Sequence, residues 1–263
     1  MLTRNKVVVS GLANGKALIF IHGFGCDQSM WRQVASDLAE EFQIVTYDLT
    51  GMGQSDLSAY DPHRYANPRG HAEDLLAIIE ELGLDEVVLV GHSIGATIAL
   101  LAANQAPDKV SRLVLVSPNP CFVNAPAEGY RGGFSLEELI AFLDENHLGW
   151  AAQMAPTIAG QPAGAPAADE LTQGFCRTDP TIAQHFGRVT FFSDERAAFA
   201  QVSRPALILH CNDDALVPMA AAEWMQDRMP GATLQVLQAT GHCPHMTVPA
   251  DVIAAIRSYL EDG

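Results

Sequence analysis

The sequence predicts an α/β fold, a mostly parallel central sheet with helices on both faces. Seven short runs of β-branched and aliphatic residues recur along the chain without polar alternation, which is the pattern of strands buried on both faces. Amphipathic helical patterns separate most of these runs, as parallel connections require. The 263 residues are 48% hydrophobic and 17% charged, which is typical of a globular chain and not of a disordered one.

Each predicted element follows from its own stretch of sequence. The strands are predicted at residues 7–9, 17–21, 44–47, 87–90, 113–116, 206–210 and 233–237. The helices between them are predicted at residues 29–41, 71–82, 94–105, 220–228 and 250–260. No internal repeat interrupts this order, and α/β folds of roughly 200–250 residues often form one domain. We therefore expect a single domain over residues 1–263.

One interval, residues 119–202, breaks the alternation of strands and helices. It contains no convincing strand, but a capping box at residues 135–138 and an Asp-Pro pair at residues 179–180 indicate helix starts. Residues 156–168 are rich in Ala, Pro and Gly and are predicted to be a connector. A helical insertion after a parallel strand lies over the carboxyl ends of the strands, where ligands bind. The expected core is residues 1–118 and 203–263, and the expected helical cap is residues 119–202.

Charge and cysteine content exclude several classes of function. The formal net charge is −16 and the 15 Lys and Arg residues are scattered, so the phosphate backbone of a nucleic acid would be repelled. The five cysteines show no CxxC pair, which argues against a disulfide framework and against a zinc site. The N-terminus has no secretory h-region, and no apolar run approaches the roughly 20 residues of a membrane span. We expect a cytoplasmic protein that uses no metal or cofactor and binds neither nucleic acid nor membrane.

The most informative motif is Gly91-His-Ser93-Ile-Gly95, which joins a predicted strand to a predicted helix. It fits the G-x-S-x-G pattern of a nucleophile elbow. Glycines two positions either side of the serine are needed at a sharp, strained turn, because larger side chains would collide with the adjoining strand and helix. A serine that only caps the helix is the alternative. The strand before and the helix after favour Ser93 as a nucleophile.

A serine nucleophile needs a base and an orienting acid, which in α/β folds of this kind follow in the order Ser, Asp or Glu, His. Two aspartates follow the sixth predicted strand, and adjacent side chains cannot both reach one imidazole. Asp214 is the predicted acid, with Asp213 as the alternative. His242, after a glycine at the end of the seventh strand, is the predicted base. His245 follows a proline and is predicted to be a satisfied structural histidine. A metal site at Cys243 and His245 is a further alternative, but it lacks partners at ligand spacing.

The oxyanion of a tetrahedral intermediate needs two amide donors. The Ile94 amide at the helix N-terminus is one, and the Phe24 amide in the glycine-rich loop after the second strand is predicted to be the other. His22 in that loop is predicted to be structural. The expected cap contributes large apolar side chains at Phe122, Phe134, Trp150, Met154, Phe191 and Phe192. They predict a closed apolar pocket, suited to a small, uncharged, largely hydrophobic ester, lactone or enol ether.

Longer segments carry a more specific resemblance. The segments HGFGCDQSMW, GHSIGA, SPNPCFVN, FCRTDP, FFSD and GHCPHM resemble those of the RsbQ-type bacterial stress-response hydrolases, a group that includes the plant strigolactone and karrikin receptors. The resemblance covers nearly the whole chain and implies an α/β-hydrolase fold with a V-shaped cap of four helices. It also implies a triad of Ser93, Asp214 and His242 with an oxyanion hole at Phe24 and Ile94, which favours Asp214 over its neighbour.

Two main functions remain open at this point, and cofactor-free perhydrolase or C–C bond hydrolase activity with the same triad is a lesser alternative. The first is a serine hydrolase that works through a triad and an acyl-enzyme. The second is a ligand-sensing module, because relatives bind or slowly hydrolyse a small hydrophobic signal and act on a protein partner, a PAS-domain phosphatase in the bacterial case. The triad is common to both functions, so it does not discriminate between them. A dehalogenase would need an aspartate in place of Ser93 and is excluded.

Overall fold

The computed structural model describes residues 1–124 and 136–261, and in these residues a seven-stranded sheet forms the centre of the fold. The strands are β1 (Val8–Gly11), β2 (Ala17–Ile21), β3 (Gln43–Thr46), β4 (Val87–His92), β5 (Val110–Val116), β6 (Ala206–Asp213) and β7 (Ala232–Thr240). Their order in the sheet is β1-β3-β2-β4-β5-β6-β7. Only β1 is antiparallel to its neighbour among these strands. The seven predicted strands are confirmed, with bounds that differ by at most three residues at either end.

Helices connect the strands and build the layer above their carboxyl ends. They are α1 (Arg32–Leu38), α2 (Arg69–Glu81), α3 (Ile94–Gln105), α4 (Leu136–Glu145), α5 (His147–Ala159), α6 (Pro166–Arg177), α7 (Pro180–Phe192), α8 (Arg196–Ala200), α9 (Met219–Arg228), α10 (Pro244–Thr247) and α11 (Pro249–Glu261). The helix predicted at residues 29–41 is divided, because Asp27 caps a 3-10 turn at Gln28–Trp31 from which α1 continues. In the described part of the chain, no helix combines the length and apolar character needed to cross a membrane.

Burial follows the position of each strand in the sheet. Every residue of β2 and β4 is buried, which explains their unbroken apolar sequences, since both faces of a central parallel strand are covered. β1 lies at the edge, and all four of its residues are exposed. The antiparallel edge strand is the reason that the sheet is mostly, and not entirely, parallel.

The segment between β5 and β6 is helical, as predicted. Among its described residues, extended pairing is limited to one bridge between Cys121 and Asp194. The helices α4 to α7 make up most of the segment, and α8 is a further short helix that the sequence pattern did not predict. The Asn104 side chain on α3 donates to the Ala198 carbonyl of α8, at 2.9 Å. Hence α8 packs on the core side of the segment.

The connector predicted at residues 156–168 is wrong over most of its length. Helix α5 runs through Pro156 to Ala159, and α6 begins at Pro166, so the link is only residues 160–165. A proline inside a helix removes one hydrogen bond, but Ile158 and its alanine neighbours on α5 are buried. That packing outweighs the tendency of Pro156 to break the helix. Gly160, with φ of 64°, ends the helix.

The strand order brings four loops to one edge of the sheet. β3 and β4 lie on opposite sides of β2, so the order in which successive strands are added to the sheet reverses at β2. Ligands bind at such switch points in α/β sheets. The loop after β2 carries Phe24, and Ser93 directly follows β4. The loops after β6 and β7 carry Asp214 and His242. Because parallel strands share one carboxyl edge, these four residues lie on the same side of the molecule.

Candidate active site

Ser93 occupies the sharp turn between β4 and α3. Its φ of 54° and ψ of −122° are uncommon for a residue with a side chain and indicate a strained backbone. Its amide donates to the Val116 carbonyl on β5, at 2.9 Å, which fixes the turn against the neighbouring strand. The Ser93 hydroxyl caps none of the amides of α3 that the structure describes. The helix-capping alternative is therefore wrong.

Close backbone contacts explain the glycines on either side of Ser93. A Cβ on Gly91 would lie 2.3 Å from the Gly95 carbonyl oxygen. A Cβ on Gly95 would lie 2.5 Å from the carbonyl oxygen of Ile21 and 2.6 Å from that of His22. Gly91 thus lets α3 turn back against β4, and Gly95 lets α3 pack against the end of β2. The steric reason predicted for the two glycines is confirmed.

His242 and Asp214 are joined by a buried hydrogen bond. The His242 Nδ1 atom lies 2.8 Å from Asp214 Oδ2, and their side chains are 2% and 0% exposed. Asp214 Oδ1 accepts from the amides of Leu216 and Val217, at 2.8 and 3.1 Å. Burial alone would raise the pKa of the Asp214 carboxyl, but the His242 imidazole and the Leu216 amide outweigh it and lower the pKa below its ordinary value.

This arrangement sets the proton positions on His242. A carboxylate accepts but does not donate, so the Nδ1 of His242 carries the proton of their hydrogen bond. The Nε2 atom is then the basic nitrogen of the neutral ring. It is buried and has no hydrogen-bond partner among the described residues, so it is free to take a proton from a group in front of it.

Asp213 and His22, the alternatives to Asp214 and His242, do not take part in this hydrogen bond. Asp213 is exposed at the end of β6, where its carbonyl accepts from the Gly241 amide at 2.8 Å. His22 is fully buried, with Nε2 accepting from the Leu49 amide and Nδ1 donating to the Gly23 carbonyl, both at 2.9 Å. Both of its ring nitrogens are therefore used by the backbone, which agrees with a structural position.

His245 differs from its prediction in one respect. Its ring centroid lies 4.3 Å from that of Trp31 and 4.5 Å from that of His92, so it is a packing residue. Neither of its ring nitrogens has a hydrogen-bond partner within the described chain, so the prediction of satisfied hydrogen bonds is wrong. Burial lowers the pKa of His245 to about 3, which keeps the ring neutral. The described residues contain no group of three His, Cys, Asp or Glu side chains arranged to hold a metal ion.

The loop that carries Phe24 lies directly against the elbow. A Cβ on Gly23 would be 2.6 Å from the His92 ring, so the missing side chain permits this close approach. Gly25, with φ of 68°, then turns the chain. The Ile94 amide belongs to the first turn of α3, whose amides have no partner within the helix. The backbone around Phe24 and the first turn of α3 therefore lie at adjacent strand ends.

A cavity lies between these loops and the helices above them. Its described lining consists of Phe24, Cys26, His92, Ser93, Phe122, Ile158, Leu171, Phe175, Thr190, Phe191, Leu216, His242 and Cys243. Ser93 and His242 thus open into one largely apolar space. Asp, Glu, Lys and Arg are absent from this described lining.

The predicted pocket residues have different outcomes. Phe122 and Phe191 line the cavity, with their ring centroids 5.1 Å apart. Trp150 is buried behind the described lining and packs on Phe24, at 5.9 Å between centroids, and Met154 packs half-buried against the core. Phe192 is 43% exposed and is not part of the described cavity lining. Phe134 lies outside the described residues.

The sequence did not predict several residues of the cavity lining. Leu171 and Phe175 lie one turn apart on α6, and this i, i+4 apolar spacing could have identified them. Phe175 also meets Phe24, at 5.7 Å between ring centroids. Ile158 lies in the segment that was predicted to be a connector, and Leu216 lies in the loop after β6. No sequence signal distinguishes Thr190 from an ordinary helical threonine.

Comparisons with known proteins give the same fold and class. A family model described as "Alpha/beta hydrolase family" matches residues 18–256. Karrikin insensitive 2 receptor IA from Petunia hybrida is 32% identical over 97% of this chain and 93% of its own. Strigolactone esterase D14 from Arabidopsis thaliana is 31% identical over 95% and 94%. A hydrolase of known structure from Oleispira antarctica is 36% identical with a TM-score of 0.95, over 100% and 96%. The chain belongs to the α/β hydrolase family and is an esterase-type enzyme.

Proposed function

We propose that the chain hydrolyses a small, uncharged ester or lactone with Ser93 as nucleophile, His242 as base and Asp214 as the orienting acid. The observation that carries the proposal is the buried 2.8 Å contact between His242 and Asp214, in a cavity that also contains Ser93 on a strained turn. No structural purpose requires these three residue types to converge from three separate loops.

The reaction begins when the Ser93 Oγ attacks the substrate carbonyl carbon and its proton passes to His242 Nε2. The carbonyl π electrons move to the oxygen, and Asp214 stabilises the imidazolium that forms. As the tetrahedral intermediate collapses, the bond to the alkoxy group breaks and His242 protonates this leaving group. A water molecule, deprotonated by His242, then attacks the acyl-enzyme, releases the carboxylic acid and restores Ser93.

The developing oxyanion is assigned to the amides of Phe24 and Ile94. Ile94 opens α3, where free amides and the positive end of the helix dipole favour an anion. Removing one oxyanion donor from a serine hydrolase costs roughly 10²–10³ in kcat, so the position of the Phe24 backbone matters even though its side chain takes no chemical part. The Gly23 and Gly25 backbone conformations support this position.

The cavity sets the class of substrate. Its wall of aromatic and aliphatic side chains favours an apolar acyl or alcohol group, because burial of a charged group without a partner is costly. We propose that residues 119–202 act as the cap that supplies this wall above a core of residues 1–118 and 203–263.

The first test is turnover of p-nitrophenyl acetate by the wild-type protein and by Ser93→Ala. We expect the variant to lose roughly 10⁶ in kcat, as when other serine hydrolases lose their nucleophile. Ser117→Ala is a matched control, because Ser117 is also buried, also ends a strand and also has a positive φ, of 47°. The control should stay within about threefold of the wild type. Residual turnover of Ser93→Ala within tenfold of the wild type would contradict the proposal.

A second candidate is a ligand sensor of the RsbQ type that acts on a PAS-domain phosphatase. The observation in its favour is that a relative similar over nearly its whole length is named a receptor. Stopped-flow measurement with p-nitrophenyl acetate separates the two candidates. Sustained turnover supports an enzyme whose product is its purpose. One equivalent of p-nitrophenol followed by very slow release supports the sensor, and binding to the phosphatase is then measured directly.

A further inference from the structure

Thr190 has an unused hydroxyl inside the active-site cavity. The residue lies on α7, is 3% exposed and belongs to the lining that contains Ser93 and His242. Its Oγ1 atom is buried and has no hydrogen-bond partner among the described residues. A threonine within a helix commonly bonds to the carbonyl four residues earlier. The Thr190 hydroxyl makes no such bond, so it is available to a ligand.

The position of Thr190 sets it apart from the other polar lining groups. Ser93, His92, His242, Cys26 and Cys243 all come from the strand ends and loops of the core. Thr190 comes from the opposite wall, next in sequence to Phe191. A buried hydroxyl without a hydrogen-bond partner destabilises the folded state, so an apolar side chain would suit this wall better if only packing mattered.

We infer that the Thr190 hydroxyl donates a hydrogen bond to an uncharged oxygen of the substrate, an ether or second carbonyl oxygen separate from the ester that Ser93 attacks. This inference rests on the proposed function and narrows it, because the substrate then carries polar groups at both walls of the cavity. The second oxygen is uncharged, since no cation of the described lining could balance a buried anion.

Matched pairs of esters test the inference, each differing by one ether oxygen in place of a methylene. On the acyl side, p-nitrophenyl pentanoate is compared with the ethoxyacetate and 3-methoxypropanoate esters. On the alcohol side, pentyl acetate is compared with 2-ethoxyethyl acetate. For each ester, kcat/KM is measured with the wild type, with Thr190→Val, which removes the hydroxyl at nearly constant shape, and with Thr190→Ser, which retains it.

We expect Thr190→Val to lower kcat/KM for at least one ether ester by roughly three- to tenfold, the effect of one uncharged hydrogen bond. The matching hydrocarbon ester should change by less than about twofold, and Thr190→Ser should retain the preference for the ether. Equal effects of Thr190→Val on both members of every pair would overturn the inference. Turnover that survives Ser93→Ala would instead overturn the proposed function, so the two failures are distinguishable.

Two further measurements do not depend on turnover. In the Ser93→Ala background, the fluorescence of Trp150, which packs on Phe24 at the cavity wall, reports binding of the same esters, and Thr190→Val should weaken only the ether member. In the free protein, Thr190→Val should leave Tm unchanged or raise it, because the hydroxyl has no internal partner. A lower Tm together with equal binding of both members would assign the hydroxyl to the fold instead.

Discussion

Acid should weaken the folded state through histidines that are buried and neutral, and His71 is the clearest case. It is fully buried on α2, with ring centroids of Tyr65 at 4.4 Å and Phe186 at 4.9 Å. Neither of its ring nitrogens has a partner among the described residues. Burial in these surroundings lowers the pKa of His71 to about 3. The perturbation that tests this environment is His71→Phe.

The size of the stability loss follows from the difference in the pKa of His71 between the unfolded and folded states. An unfolded histidine has a pKa of about 6.5, so at pH 5 the unfolded chain holds almost one proton at this position and the folded chain almost none. The unfolded state binds more protons, and stability therefore rises with pH and is lost as pH falls from about 6.5 towards 3. For His71, the loss between pH 8 and pH 5 is about 2 kcal/mol.

Urea unfolding at pH 8 and pH 5, followed by tryptophan fluorescence, measures the loss directly. Between these pH values, His71→Phe should lose about 2 kcal/mol less than the wild type. Any packing change caused by the phenylalanine acts at both pH values and cancels in this difference. His63→Gln is the control for the loss of a histidine at an exposed position. Identical pH dependence for the wild type and His71→Phe would refute the reasoning.

Two other substitutions test the site more directly. Asp214→Asn should lower kcat/KM for p-nitrophenyl acetate by roughly 10³–10⁴, because an amide no longer favours the required imidazole tautomer. Asp213→Asn, at the exposed neighbour, should change it by less than about threefold, and equal losses would contradict the assignment. Gly95→Ala places a methyl group 2.5 Å from the Ile21 carbonyl oxygen, so both Tm and kcat should fall. An unchanged Tm would show that the end of β2 can move aside.

Local patterns predicted the core of the fold because its determinants are local. Strands β2 and β4 are buried on both faces and have apolar residues throughout, so their sequences identify them without knowledge of their partners. The elbow was predictable for the same reason, since the glycines at 91 and 95 reflect contacts within a few residues of the turn or with the adjacent strand. Local residues did not separate the two candidate acids, because Asp213 and Asp214 are adjacent and differ in which of them contacts His242.

The proposed cap was less predictable than the core, because contacts between distant segments decide its structure. Pro156 argued for a connector, yet tertiary packing of Ile158 and its neighbours keeps α5 intact to Ala159. Trp150 and Met154 looked like pocket residues, but the helix orientations turn Phe175 and Thr190 towards the cavity instead. Such orientations depend on helix–helix packing, which the periodicity of one helix does not specify.

Helices of the proposed cap also contact the backbone of the loops that carry Phe24 and His242, so the shape of the cavity is coupled to the geometry of the proposed site. The His242 amide donates to the Ile158 carbonyl near the end of α5, at 2.7 Å, where helix carbonyls lack internal partners. On the opposite side, a Cβ on Gly25 would lie 1.8 Å from the Phe175 ring of α6, which leaves the loop carrying Phe24 little freedom. A displacement of α5 or α6 would therefore move His242, the proposed base, or Phe24, a proposed oxyanion donor. Because a displacement of about 1 Å can cost roughly 10²-fold in rate, substitutions that reshape the cap should alter kcat together with substrate preference.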